Sequence, residues 1–237
     1  MKKNTTLQPE DLRFLFVQFL FGLTAAEVAV KFSDLFLKSH LFSTPAFWPL
    51  LSHLVLATVL IGTSWVGWSN STSAKTIRGV KSVFSKPFVV LIFDVILVIM
   101  YYMLVRSTGI TGENQRSSVS DLITVEYPTR LVAFIFIVYL VWDIITKWPI
   151  TRKVLLRITL TFICACFAFL IWFFLHTIKD TYDTRSVYAA LLFLDLSFRA
   201  LKDPSGDENT WFKEKQSWGW LFLFVVILFT IFALVGH

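Results

Sequence analysis

Charged residues are scarce in this sequence of 237 residues. Asp, Glu, Lys and Arg make up 16 % of the chain, whereas soluble domains contain about 25 %. Hydrophobic residues reach 56 %, and the mean hydropathy is +0.67. No polar stretch is long enough to build a separate soluble domain, which excludes a soluble enzyme attached to a membrane anchor. We therefore expect a single transmembrane domain over residues 1–237.

Cysteine is almost absent, since only Cys164 and Cys166 occur. On a helix, two side chains at this spacing point about 200° apart, which excludes a disulfide or a shared metal ion. The four histidines do not have metal-ligand spacing with one another or with acidic residues. We predict no metal and no other cofactor.

Several motifs of catalysis are also missing. The sequence contains no phosphate-binding glycine-rich loop, no nucleophile elbow and no His-Glu-x-x-His zinc helix. The last apolar run has no lysine, which excludes a retinal Schiff base of the rhodopsin type at that position. We predict that the protein is not an enzyme.

Long apolar runs fill most of the chain, and a helix needs about 20 such residues to cross a bilayer. They predict an all-α fold, namely a polytopic transmembrane helix bundle with about seven membrane-crossing helices. The sixth run is short and contains Asp195 and Arg199, so that it could instead be a re-entrant or interfacial segment. The seven runs are residues 14–37, 47–68, 88–105, 131–145, 154–175, 186–201 and 218–235.

Lysine and arginine concentrate in two linkers that contain no acidic residue. By the positive-inside rule both linkers are cytoplasmic, which places the N-terminus in the cytoplasm and the protein in the cell (inner) membrane. This orientation accounts for the net charge of +6 better than nucleic-acid binding does. The basic residues are Lys75, Arg78, Lys81 and Lys86 in the first linker, and Lys147, Arg152 and Lys153 in the second.

The first run contains charges of alternating sign at steps of three and four residues. Glu27, Lys31 and Asp34 lie on one helical face together with Thr24 and Lys38. Glu27–Lys31 and Asp34–Lys38 have the spacing of intrahelical ion pairs. This face would line an aqueous vestibule or an ion route, or else it is a solvated face of a helix that leaves the membrane early.

Further ionisable residues lie inside the other runs, where insertion costs about 2.5–3.5 kcal/mol each. Asp94 has no base within a helical turn, so it either pairs with another helix, with Arg157 and Lys31 as candidates, or is protonated. Asp195 and Arg199 form an i,i+4 pair that is structural or acts as a gate. Two further features have simpler interpretations: Asp143–Lys147 reads as an interfacial ion pair, and His53 as a packing residue or a proton relay.

The polar interior faces favour an ion or proton channel, or a small transporter, that works as a homo-oligomer in the lipid bilayer. The predicted ion-pathway residues are Glu27, Lys31, Asp34, Asp94, Asp195 and Arg199. The alternative is a non-catalytic membrane subunit or membrane-acting effector. A protein partner would then dock on the basic cytoplasmic loops and on the tryptophan-rich segment 202–220.

Overall fold

A computed structural model of the chain describes residues 9–37, 42, 44–73, 85–108, 125–147, 151–177, 183–202 and 215–235. These ranges contain seven α-helices and no strand, which confirms the predicted all-α class. The helices are α1 (Pro9–Leu37), α2 (Phe47–Ser73), α3 (Lys86–Arg106), α4 (Glu126–Thr146), α5 (Arg152–Thr177), α6 (Thr184–Lys202) and α7 (Lys215–Val235).

Some features that the sequence singled out lie outside the described residues. They are Lys38, the three basic residues Lys75, Arg78 and Lys81 of the first linker, and residues 203–214 of the tryptophan-rich segment.

Five helices, α1 to α5, are long and apolar enough to cross a membrane. The described apolar part of α7 is shorter, Trp218–Ile231. Large apolar side chains such as Phe19, Leu156 and Phe173 are exposed on the outside of the bundle. So many exposed apolar side chains are unfavourable in water and indicate contact with lipid. The chain is therefore an integral membrane protein built as a helical bundle.

Two helices begin about one helical turn before the apolar runs from which they were predicted. Helix α4 starts at Glu126 instead of residue 131, and α1 starts at Pro9 instead of residue 14. Pro128 lies in the first turn of α4, where a proline removes no intrahelical hydrogen bond. Hydropathy detects only the apolar part of a helix, and the polar turn that precedes this part can also be helical.

Helix α6 is the least apolar of the seven, yet it lies inside the bundle against α2, α5 and α7. Leu191, Leu194 and Asp195 are completely buried. Its close neighbour is α7, where a Cβ on Gly219 would stand 2.5 Å from Leu201 Cγ, so only glycine fits. Because α2, α5 and α7 pack on α6, protein covers most of its polar side chains, and its hydropathy understates how deeply it is buried.

The centre of the bundle lies between α2, α3, α4 and α6. Helix α1 packs on α2 and α3, and α5 packs on α4 and α6. The buried face of α1 repeats at steps of three and four residues, as expected for a helix with one face inward. This face comprises Val17, Phe21, Thr24, Val28, Lys31 and Leu35.

Candidate functional site

One face of α6 bears a line of polar side chains. Tyr188, Asp195, Arg199 and Lys202 follow one another at steps of seven, four and three residues, which places them on the same side of the helix. Their Cα atoms span about 21 Å along the helix axis at 1.5 Å per residue. This face points towards the centre of the bundle and places polar groups along most of the length of the interior.

Arg199 and five other polar residues, from four helices in all, form a group that we call the central polar cluster. Arg199 Nη2 donates hydrogen bonds to Ser64 Oγ (2.6 Å) and to the Tyr139 hydroxyl (2.8 Å). The Tyr101 hydroxyl donates to Ser64 Oγ (2.8 Å) and lies 2.6 Å from the Tyr139 hydroxyl. Ser64 and Tyr139 are also hydrogen-bonded to each other. The six members are Thr63, Ser64, Tyr101, Tyr139, Asp195 and Arg199.

Asp195 supplies the negative charge of this cluster and is completely buried. Its Oδ2 accepts a hydrogen bond from Thr63 Oγ1 (2.8 Å), while Oδ1 lies 3.5 Å from Arg199 Nε. The predicted i,i+4 ion pair is therefore present. Neither Oδ1 nor Nε has a hydrogen-bond partner among the described residues. The two atoms face each other as a buried ion pair.

Aromatic rings hold the guanidinium in place. Arg199 Cζ lies 5.0 Å from the centroid of the Tyr139 ring and 5.2 Å from that of Phe198, distances at which cation–π attraction operates. The Tyr139 and Phe198 rings are themselves stacked, with centroids 5.6 Å apart. On the opposite side Phe21 of α1 packs on Tyr101 at 6.0 Å. Apolar rings therefore enclose the cluster and lower the local dielectric constant.

A second group, which we call the Asp143 cluster, lies at the adjacent ends of α4 and α6. Asp143 Oδ2 is 2.7 Å from Lys202 Nζ and accepts a hydrogen bond from Thr161 Oγ1 at 2.9 Å. Lys147 Nζ approaches Oδ1 at 3.4 Å, so the predicted Asp143–Lys147 pair is present. The carboxylate is completely buried within the bundle, which the sequence did not indicate. The cluster comprises Asp143, Lys147, Thr161 and Lys202.

Asp94 makes a contact that sequence analysis missed. It is 2 % exposed, and its Oδ1 accepts a hydrogen bond from Trp142 Nε1 of α4 at 2.8 Å. The sequence offered two basic partners on other helices, Arg157 and Lys31. The donor shown here is the indole N–H of Trp142, which is neutral. No local spacing could reveal this contact because the two residues are 48 positions apart.

The predicted residues of α1 differ in exposure and in partners, and none of them is a member of the central polar cluster. Lys31 is on the buried face of the helix, whereas Asp34 is partly exposed. The Glu27 carboxylate pairs with Arg106 of α3 at 3.2 Å. Of the six predicted pathway residues, the structure thus brings Asp195 and Arg199 into one site and gives Asp94 and Glu27 different partners.

His53 lies near the other end of the polar line. Its Nε2 is 3.0 Å from the Leu104 carbonyl oxygen, and its Nδ1 is 3.3 Å from the Tyr188 hydroxyl. The imidazole and phenol rings are stacked with centroids 5.0 Å apart. These contacts join α2, α3 and α6 and fit the packing role that the sequence suggested.

The fold and these clusters define an integral membrane protein with charged groups buried in its helical bundle. No family model, curated protein or solved structure matches the chain. Among the residues that the structure describes, no group of three or more His, Cys, Asp or Glu side chains could hold a metal ion. Cys164 is buried, Cys166 is exposed, and both thiols are free.

Proposed function

We propose that this protein is a channel or small transporter that passes an ion or a proton, and that it is not an enzyme. The observation that carries the proposal is the buried face of α6, where Asp195, Arg199 and Lys202 contact polar side chains of α2 and α4. Charged side chains within a membrane are costly and mark substrate, ion or proton pathways. Helix packing alone does not require three charged side chains on one buried face.

In this proposal the path runs from His53 and Tyr188, past the central polar cluster, to the Asp143 cluster. The positive-inside rule would place the Asp143 cluster at the cytoplasmic end, because it adjoins the basic linker that contains Lys147 and Arg152. In this proposal the structure corresponds to the closed state, because buried side chains occupy the centre of the bundle. Conduction would then require the 3.5 Å contact between Asp195 and Arg199 to open.

The test is an ion-flux and proton-flux assay on purified protein in liposomes. Asp195→Asn removes the charge but keeps a side chain of the same shape, which can still accept the hydrogen bond from Thr63. We expect this variant to lower the flux by about tenfold or more, which corresponds to about 1.4 kcal/mol in the barrier. Arg185→Gln, at an exposed position of the same helix, should leave the flux unchanged.

Glu27→Gln separates the α6 path from the alternative along α1. Glu27 pairs with Arg106 and is not a member of the central polar cluster, so we expect near-normal flux. A large loss in Glu27→Gln with normal flux in Asp195→Asn would move the path to α1. Well-folded wild-type protein that passes no more ions than empty liposomes would refute the proposed function.

A further inference from the structure

One nitrogen of the Arg199 guanidinium, Nη1, makes no hydrogen bond to the described residues. Its hydrogen bonds are both made from Nη2, and Nε faces Asp195. Within the described part of the chain, no acceptor lies within hydrogen-bond distance of Nη1. Unlike Nε, Nη1 is not a buried atom, and the side chain as a whole is 21 % exposed. The guanidinium therefore presents the two N–H groups of Nη1 outwards from the central polar cluster.

The residue opposite Nη1 is Gly67 of α2. A Cβ atom on Gly67 would lie 3.0 Å from Nη1, closer than nearly all ordinary contacts of a Cβ atom. Gly67 is itself exposed, and it lies three residues before Asn70, where the apolar span of α2 ends. The opening over Gly67 is thus about 5 Å along the helix axis from the end of that span. A solute or a lipid headgroup at the membrane boundary can reach it.

The charges around this opening favour a negative ligand. Two completely buried carboxylates of the bundle already have donors: Asp143 has Lys202 and Thr161, and Asp195 has Thr63 and Arg199. Arginine stays protonated at all physiological pH values, and its N–H groups bind halides, phosphates and carboxylates well. A cation at this position would meet the fixed positive charge of Arg199, which opposes its entry.

We propose that Arg199 Nη1 and the opening over Gly67 form a binding site for a small anionic group. The ligand is a free anion or the phosphate of a lipid headgroup, and the glycine leaves the space that it occupies. The inference rests on the proposed function in one respect: a free anion bound here would be the permeant ion. The binding itself can be measured without any flux.

The first arm of the test measures the thermal unfolding of the protein in a neutral detergent. Chloride or inorganic phosphate replaces the bulky anion gluconate at constant ionic strength. A bound anion stabilises the native state, so the unfolding temperature should rise with anion concentration and saturate. Gly67→Ala and Gly67→Leu should weaken the apparent affinity by about tenfold or more, because the new side chain fills the space beside Nη1.

Gly62→Leu is the matched control for these variants. Gly62 lies on the same helix, and a Cβ there would meet no atom of the described residues within 4 Å. It should therefore bind the anion as the wild type does. If Gly67→Leu does not fold, the milder Gly67→Ala variant carries the comparison.

The second arm uses nanodiscs of phosphatidylcholine with and without phosphatidylglycerol. Stabilisation by chloride or phosphate in detergent identifies a free anion. Stabilisation that requires phosphatidylglycerol and Gly67 identifies a lipid headgroup. Folded wild-type protein that responds to none of these anions, or a Gly67→Leu variant that responds as the wild type does, would overturn the proposal.

Flux measurements separate this inference from the proposed function. Anion binding without any ion or proton flux would refute the channel or transporter and leave the binding site. Proton or cation flux without anion binding would leave the proposed function and refute the site.

Discussion

Replacing Arg199 by leucine is expected to lower the free energy of unfolding by about 3–5 kcal/mol, because removing one partner of a buried ion pair leaves an uncompensated charge. The charge in question is Asp195, which is completely buried and has Arg199 as its nearest described cation, at 3.5 Å. Ser64 and Tyr139 would also lose the donor Nη2. The measurement is an unfolding titration with sodium dodecyl sulfate in mixed micelles.

The double variant Asp195→Leu/Arg199→Leu should recover most of this loss. Apolar replacement of both partners of a buried pair is often neutral or stabilising. The remaining hydroxyls keep partners, since Tyr101, Ser64 and Tyr139 bond to one another and Thr63 still donates to the Leu60 carbonyl (3.2 Å). Arg199→Leu with wild-type stability, or a double variant less stable than either single one, would contradict the described geometry.

Lys202→Met is expected to cost less, about 2–3 kcal/mol, because Asp143 retains two other partners. The substitution removes the 2.7 Å contact to Oδ2, while Thr161 remains at 2.9 Å and Lys147 at 3.4 Å. The buried carboxylate would then be only partly compensated. The same detergent titration measures the effect.

Lys147→Met is the matched comparison, because it removes a lysine from the same carboxylate at a longer distance. We expect it to destabilise the protein by less than Lys202→Met. Adding Asp143→Asn to Lys202→Met should restore part of the stability, because the asparagine carries no charge that a cation would have to compensate. Equal effects of the two lysine variants would contradict the expectation that the closer cation, Lys202, stabilises Asp143 more than Lys147 does.

Hydropathy predicted the bundle because each membrane-crossing helix can be recognised from the composition of its own segment. The runs at 47–68, 88–105 and 154–175 correspond to α2, α3 and α5, with shifts of a few residues at the ends. Hydropathy left α6 uncertain because it measures how well a segment suits lipid. The polar groups of α6 are satisfied by other helices, and a single segment contains no information about its neighbours.

The candidate site was predictable only where both partners lie on one helix. Asp195–Arg199 and Asp143–Lys147 follow from i,i+4 spacing. The contacts of Arg199 with Ser64 and Tyr139 join residues 135 and 60 positions apart, so they depend on the relative placement of the helices. Lys202 could have been added, because it lies three residues after Arg199 and hence on the same face.

The most direct test of the central claim, that the charges on the buried face of α6 carry an ion or a proton, is the flux through the double variant Asp195→Leu/Arg199→Leu in liposomes. This variant is expected to fold, so a loss of transport could not be attributed to unfolding. We expect its flux to fall to that of empty liposomes while the wild type conducts. A folded double variant that conducts at the wild-type rate would contradict it.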